Sequence, residues 1–303
     1  MERIFQYTIT SEYENKPIDF YLKSMGFSSQ NIIELKKMPE SILLNDVWVY
    51  TRTILHTGDV LTIHLTESVV SDKIKPVALP FPIVYEDEDI LVVNKPADMP
   101  IHPSQNNYEN TLANAAAYYF SSKNIPFTFR CINRLDRNTT GLTVIAKHMV
   151  SANILGKMVA EKTLEREYRA LCSGIPFPPE GTIEKPIGRV PGSTIERCID
   201  ETNGEFALTH YKVLENGTDF SYLSLVLGTG RTHQIRVHMA SIGHPLLGDS
   251  LYNKNPGTKI KRQALHSYRL SFPHPITGRS LVFTAPVPED FLIPGIRNCH
   301  QTG

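Results

Sequence analysis

The sequence predicts an α+β protein: a mixed, largely antiparallel sheet with flanking helices, preceded by a small unit of two helices and a hairpin. Three observations carry this. From the REYRALCSG segment to Pro294, short apolar runs of strand character dominate. Regular helical crossovers do not separate them, which disfavours a parallel doubly wound sheet. Finally, near 66–80 the stretch TESVVSDKIKPVALPFP mixes polar residues with three prolines and has no periodicity, as an interdomain linker does. Residues 1–75 are therefore expected as a small N-terminal unit with the start of its linker, tethered loosely beside a main domain at 76–303. A chain of 303 residues with 41% apolar content can bury a substantial core.

Taken in order, PIDFYLKSMGFSSQNIIELKKM carries apolar residues at helical spacing, with Ser28 or Ser29 capping the second of two helices. SILLNDVWVYTRTILHTGDVLTIHL alternates as short strands do, turning at Asn45-Asp46 and at Thr57-Gly58-Asp59. IVYEDEDILVVNKP reads as two strands around an acidic turn, and TLANAAAYYF as a helix. GLTVIAKH reads as a buried strand behind a Thr-Thr-Gly turn. SANILGKMVAEKTLE is an amphipathic helix with Ile154, Leu155, Met158 and Val159 on one stripe, and REYRALCSG is a strand. Strands follow at EFALTHYKVLE, DFSYLSLVLGTG and SLVFTAPVP, with one helix at RTHQIRVHMASIG.

Several function classes fall away. No apolar run approaches the ~18 residues of a membrane span, and MERIFQYTITSEYENK lacks the apolar core of a signal peptide, so a cytoplasmic location is expected. Cys131, Cys172, Cys198 and Cys299 form no Cys-x-x-Cys pair and are expected as reduced, mostly buried thiols. His233 and His238 stand five apart, which does not make the adjacent-turn pair of a helical zinc site, so no metal is expected. GTGRT at 228–232 lacks the Gly-Lys-Ser/Thr ending of a phosphate loop and the spacing of a dinucleotide fingerprint, and there is no Gly-x-Ser-x-Gly elbow. Formal net charge is zero, with 31 basic and 31 acidic residues. Between Arg130 and Arg169, however, eight basic residues face four acids, a candidate phosphate-contacting patch as well as an ordinary solvated helix face.

What remains is INRLDRNTTGL, where Asp136 stands between Arg134 and Arg137. Two readings are open. Asp136 is a turn aspartate that bridges to a neighbouring arginine or caps Asn138 or Thr139, or it is a catalytic carboxylate on a substrate positioned by those arginines. Carboxylates beside guanidinium groups stay charged even when partly buried.

NRLDRNTTGLTVIAK resembles the arginine-leucine-aspartate signature of the RluA-type pseudouridine synthases. EDEDILVVNKPADMPIHPS, LEREYRALCSG, GTGRTHQIRVHMASIGHPLLGDSLY and LHSYRLSFPHPITGRSLVFTAPVPEDF resemble the family's other motifs, in the right order across about 80–294. The resemblance implies a cofactor-free isomerase that converts uridine in ribosomal or transfer RNA to pseudouridine, acting as a monomer, with RNA as partner and no membrane or nucleotide cofactor. It implies Asp136 as the catalytic carboxylate, Tyr168 as the phenol beside the base and Arg236 as the aspartate's partner. Arg134, Arg231, Asn94 and Lys95 are expected to bind substrate. Asn133, Asp98 and Arg166 depart from a frequent His, Gly and Lys and bear on substrate choice. Residues 12–66 resemble a small RNA-binding module shared with a ribosomal protein, although residues 1–75 carry eight basic against ten acidic residues. The alternative is a non-catalytic RNA-binding or ribosome-assembly protein on the same scaffold; a glycosidase that lets water finish the reaction is more remote.

Overall fold

The computed structural model describes residues 1–68, 71, 73–255 and 260–292. Cys299 and the last residues of the expected main domain lie outside the described residues. The N-terminal elements are β1 (Glu2–Thr8), α1 (Ile18–Ser24), α2 (Ser29–Lys36), β2 (Ile42–Leu44), β3 (Val47–Trp48) and β4 (Val60–Thr66). They form a four-stranded sheet in the order β1-β4-β2-β3. Ser28 caps α2 in a reciprocal box with Asn31, its hydroxyl accepting from the Asn31 N–H at 3.0 Å. Asn45 and Asp46, at φ of 51° and 65°, make the two-residue turn between β2 and β3. β1 is an element the sequence reading did not recognise. It pairs over its whole length with β4, but apart from Ile4 only Phe5 and Tyr7 of its side chains are large and apolar, so its alternation is faint.

The remainder comprises β5 (Ile83–Glu86), β6 (Ile90–Lys95), α3 (Leu112–Ser121), β7 (Arg130–Cys131), β8 (Thr140–Ala146), α4 (Met149–Ala160), β9 (Glu165–Ser173), β10 (Glu180–Glu184), β11 (Ile187–Arg189), β12 (Arg197–Ile199), β13 (Leu208–Asn216), β14 (Phe220–Leu227), α5 (Gln234–Ser241), β15 (Leu265–Pro273) and β16 (Ser280–Thr284). The large sheet runs β10-β13-β14-β9-β15-β8-β6-β5, with β16 on β15 and β7 on β8. Every pairing in it is antiparallel except that of β15 with β8. β8 is buried at all seven positions, which explains why TGLTVIA reads as a continuous apolar run and not as an alternation.

The turn before β8 differs from the expected one. It is made by Arg137 and Asn138, closed by the Thr139 N–H on the Asp136 carbonyl at 3.0 Å. Gly141 lies inside the strand at φ 108°, where a Cβ would meet the Ser267 carbonyl oxygen at 2.2 Å. Only glycine lets β8 and β15 approach there.

Nor is the N-terminal unit loosely tethered. Its core of Phe5, Ile18, Leu22, Ile32, Leu61 and Ile63 continues into Val150 of α4, with Met149, Ile154 and Ile276 packed against it. Asn153 Nδ2 donates to the Gly26 carbonyl at 2.8 Å, and Glu67 accepts from the Met149 N–H at 2.6 Å. At the seam, Arg3 Nε and His148 Nε2 each lie 2.8 Å from Asp89 Oδ1. Burial opposes ionisation of Asp89, but the hydrogen bonds from His148 and Arg3 prevail and bring its pKa down to about 2. Because the folded value lies below the ordinary one, the stabilisation is complete above about pH 4 and is lost as pH falls toward 2. The stability difference between the wild-type protein and Asp89→Asn is expected to shrink by about 2 kcal/mol from pH 6 to pH 2, read from urea midpoints across that window.

Candidate active site

Asp136 stands in the segment between β7 and β8, and its neighbours fix it. Asn133, 2% exposed, donates to the Leu142 carbonyl at 3.0 Å and accepts from the Val144 N–H at 2.8 Å, pinning the segment to β8. Leu135 is buried in the main core. With Leu135 turned inward, Asp136 faces the cleft, its side chain 24% exposed.

The adjacent arginines are not its partners. Arg137 pairs with Asp98 at 2.6 Å. The carboxylate is met instead from a hundred residues away: Arg236 Nη1 donates to Asp136 Oδ2 at 3.0 Å. Arg236, on α5, is itself held from behind, since its Nε and Nη2 donate to the two carboxylate oxygens of Asp249 at 2.7 and 2.9 Å. Asp249 is fully buried and also accepts from the Leu251 and Tyr252 N–H groups. The Tyr252 ring lies 5.0 Å from the Arg236 guanidinium carbon. Burial works against the charge on Arg236, but the two carboxylates raise its pKa above the ordinary value. One guanidinium thus joins a structural carboxylate to a cleft-facing one in charge-assisted geometry.

His233 occupies a left-handed position at φ 58° just before α5. Its Nδ1 lies 2.8 Å from the Tyr252 hydroxyl and its Nε2 lies 3.8 Å from Asp136 Oδ2. Burial lowers its pKa, while the charge of Asp136 resists the shift. His238 bonds Thr209 and the Lys185 carbonyl, each at 2.9 Å, and takes no part in the site.

Tyr168, 4% exposed, sits mid-sheet on β9 between Leu225 and Ser267. Burial pushes its phenol up. Asp136, Tyr168 and Arg236 line one cleft of about 290 Å³, shared with Arg134, Arg166, Gly230 and Arg231. The sequence-predicted trio is therefore brought together.

The other expected residues divide. Arg134 is exposed at the cleft. Arg231 lines the cleft while pairing with Glu205 and donating from Nε to the Phe206 carbonyl at 3.0 Å. Lys95 is fully buried, and its ammonium donates to the carbonyls of Pro96, Met99 and Arg137 at 2.8, 2.9 and 3.0 Å. Burial takes its pKa down to about 7 while the charge of Asp136 resists the shift. It clamps two loops together and is not among the residues of the cleft wall. Asn94, paired with Leu142 along β6, does not line the cleft either. Asp98 adopts φ 59°, the left-handed region where a glycine is at ease, and its carboxylate pairs with Arg137. Among the described cysteines, Cys172 is buried while Cys131 and Cys198 are half-buried, and all three are free thiols. Among the described residues, no helix is long and apolar enough to cross a membrane.

Asp249 was missed by sequence reasoning. Its only local signal is an acid near the end of the GTGRTHQIRVHMASIGHPLLGDSLY segment, and its role appears once α5 carries Arg236 onto it.

The sequence model of the RNA pseudouridylate synthase family matches residues 89–241, a span containing Asp136, Tyr168 and Arg236. The chain belongs to that family. Pseudouridylate synthases are isomerases acting on RNA. Among similar proteins, the uncharacterised RNA pseudouridine synthase YjbO of Bacillus subtilis (strain 168) is 38% identical over 272 residues, 89% of this chain and 95% of the relative. Ribosomal large subunit pseudouridine synthase D of Neisseria meningitidis serogroup A is 39% identical over 263 residues, 82% of this chain and 70% of the relative. In three dimensions, human RNA pseudouridylate synthase domain containing 1 superposes with a TM-score of 0.59 at 29% identity, covering 74% of this chain and 89% of that one.

Proposed function

We propose that this pseudouridylate synthase isomerises a specific uridine in structured RNA, ribosomal RNA before transfer RNA, with Asp136 as the catalytic residue. The observation that carries the reading is the cleft-facing Asp136 carboxylate held at 3.0 Å by Arg236 beside the buried Tyr168. The Neisseria relative's name, ribosomal large subunit pseudouridine synthase D, favours the ribosomal target.

The reaction breaks the bond between ribose C1′ and uracil N1, turns the base, joins C1′ to C5, and releases the C5 hydrogen while N1 gains a proton. Nothing is oxidised and no group donor is consumed, so a positioned carboxylate, a phenol and a cleft that takes in the nucleotide suffice. Attack on the sugar, addition to the base and removal of a ribose proton all begin from the ionised carboxylate. Arg236 orients that carboxylate, Tyr168 flanks the base, and Arg134 and Arg231 lie where RNA enters. Residues 1–75 are read as an accessory RNA-contacting unit and 76–303 as the catalytic domain, working as a monomer.

Mapping pseudouridines across total RNA with and without the gene tests the reading: one or more sites should vanish, and an unchanged map refutes it. Tyr168→Phe removes only a hydroxyl from a packed ring. It is expected to leave the unfolding midpoint nearly unchanged and to lower turnover about a hundredfold, in the range of a lost acid–base group, measured as tritium released from RNA labelled at uracil C5.

A further inference from the structure

Four arginines line the cleft, and their circumstances differ. Arg236 is bound to two carboxylates. Arg231 is engaged by Glu205, and Arg134 is exposed to water. Arg166 is 8% exposed, and its Nε is, among the described residues, the one buried side-chain nitrogen or oxygen with no hydrogen-bond partner. Strand geometry explains the isolation. On β9 the burial alternates, exposed at Glu165, buried at Arg166, half-buried at Glu167, buried at Tyr168. Arg166 and Tyr168 therefore face the cleft, while both neighbouring carboxylates face away, and Glu167 takes Arg169 and Ser224 as its partners. One Arg166 Nη1 lies so close to Gly230 that a Cβ there would stand 2.9 Å from it.

Its Nε is sealed from water without an acceptor, and among the described residues no carboxylate forms an ion pair with this guanidinium, which lines the cleft. An anion brought by the substrate would supply the missing partner. Uracil and ribose are neutral, so the only anion an RNA substrate brings is the phosphodiester. We propose that Arg166 binds a phosphate flanking the nucleotide drawn into the cleft, seating that nucleotide beside Tyr168. The inference rests on the pseudouridine synthase reading and names a substrate contact within it.

The test uses the full chain and a synthetic RNA fragment carrying the mapped uridine, labelled at C5. Wild-type enzyme must convert it; failure there refutes the functional reading itself. Given conversion, Arg166→Gln is expected to raise KM about tenfold or more with kcat changed far less, as loss of a charge-assisted contact made in ground and transition state alike should do. Arg166→Lys, which keeps the charge, should recover most of the loss. A methylphosphonate placed at the linkage 5′ or 3′ of the target then identifies the source. At one of the two, neutralisation should weaken wild type as much as Arg166→Gln does and add nothing to that variant. An unchanged KM in Arg166→Gln overturns the proposal, as do penalties that multiply at both linkages, which would place Arg166 on the base or sugar. Arg166→Met removes the uncompensated charge and should melt at or above the wild-type temperature. A fall of more than about 5 °C would make Arg166 a structural residue and also overturn the proposal.

Discussion

Asp136→Asn is expected to lower turnover about a thousandfold or more while leaving the fold intact. The amide has nearly the shape of the carboxylate but can neither attack nor take a proton, and loss of such a group costs factors of about 10² to 10⁴. Stability should barely respond. The Asp136 side chain is 24% exposed, and Arg236 keeps its two hydrogen bonds to Asp249 when Asp136 is changed. Tritium release from C5-labelled RNA measures the activity, and circular dichroism in urea measures the fold. Retention of more than a tenth of the wild-type rate would show that another group does the chemistry. Release of free uracil in place of pseudouridine would point to a glycosidase.

Asp249→Ala should give the reverse pattern, with stability lost first and activity as a consequence. Arg236 is buried, its side chain 6% exposed, and Asp249 accepts from two of its nitrogens. Removing one member of a buried pair leaves an uncompensated charge, at a cost of about 3–5 kcal/mol. The Leu251 and Tyr252 N–H groups lose their acceptor as well. The urea midpoint should fall accordingly, and the surviving folded fraction should turn over slowly because Arg236 no longer presents its Nη1 to Asp136. Asp249→Asn retains an acceptor and should lie between. A variant as stable as wild type would mean that Tyr252 and Asp136 alone suffice to hold Arg236.

The helices and most strands of this fold were legible because their burial is one-sided or complete, as in α2 with its Ser28 cap and the wholly buried β8. β1 was not, because a strand that buries so few apolar side chains carries little signal until β4 lies beside it. The hairpin of β11 and β12 and the strand β10 escaped because each is only three to five residues long, and the longer β15 was not recognised as a strand either. At the site, motif resemblance brought forward Asp136, Tyr168 and Arg236. It also brought forward Lys95 and Asn94, because a motif records residue identity and not the direction a side chain takes. Only the three carbonyls around the Lys95 ammonium show that it braces the loops under the cleft. Local sequence alone pointed to Arg134 and Arg137 as partners of Asp136, whereas the resemblance named Arg236, which does bond it, while Arg137 turns toward Asp98.

Residues 265–273 form a strand at the heart of the large sheet, between β9 and β8, although they come late in the chain. Without that strand the sheet has a gap down its middle, between β9, which carries Tyr168, and β8, which follows Asp136. A chain cut before residue 265 lacks the strand that joins β9 to β8, so such a fragment should fail to assemble the sheet and to modify RNA.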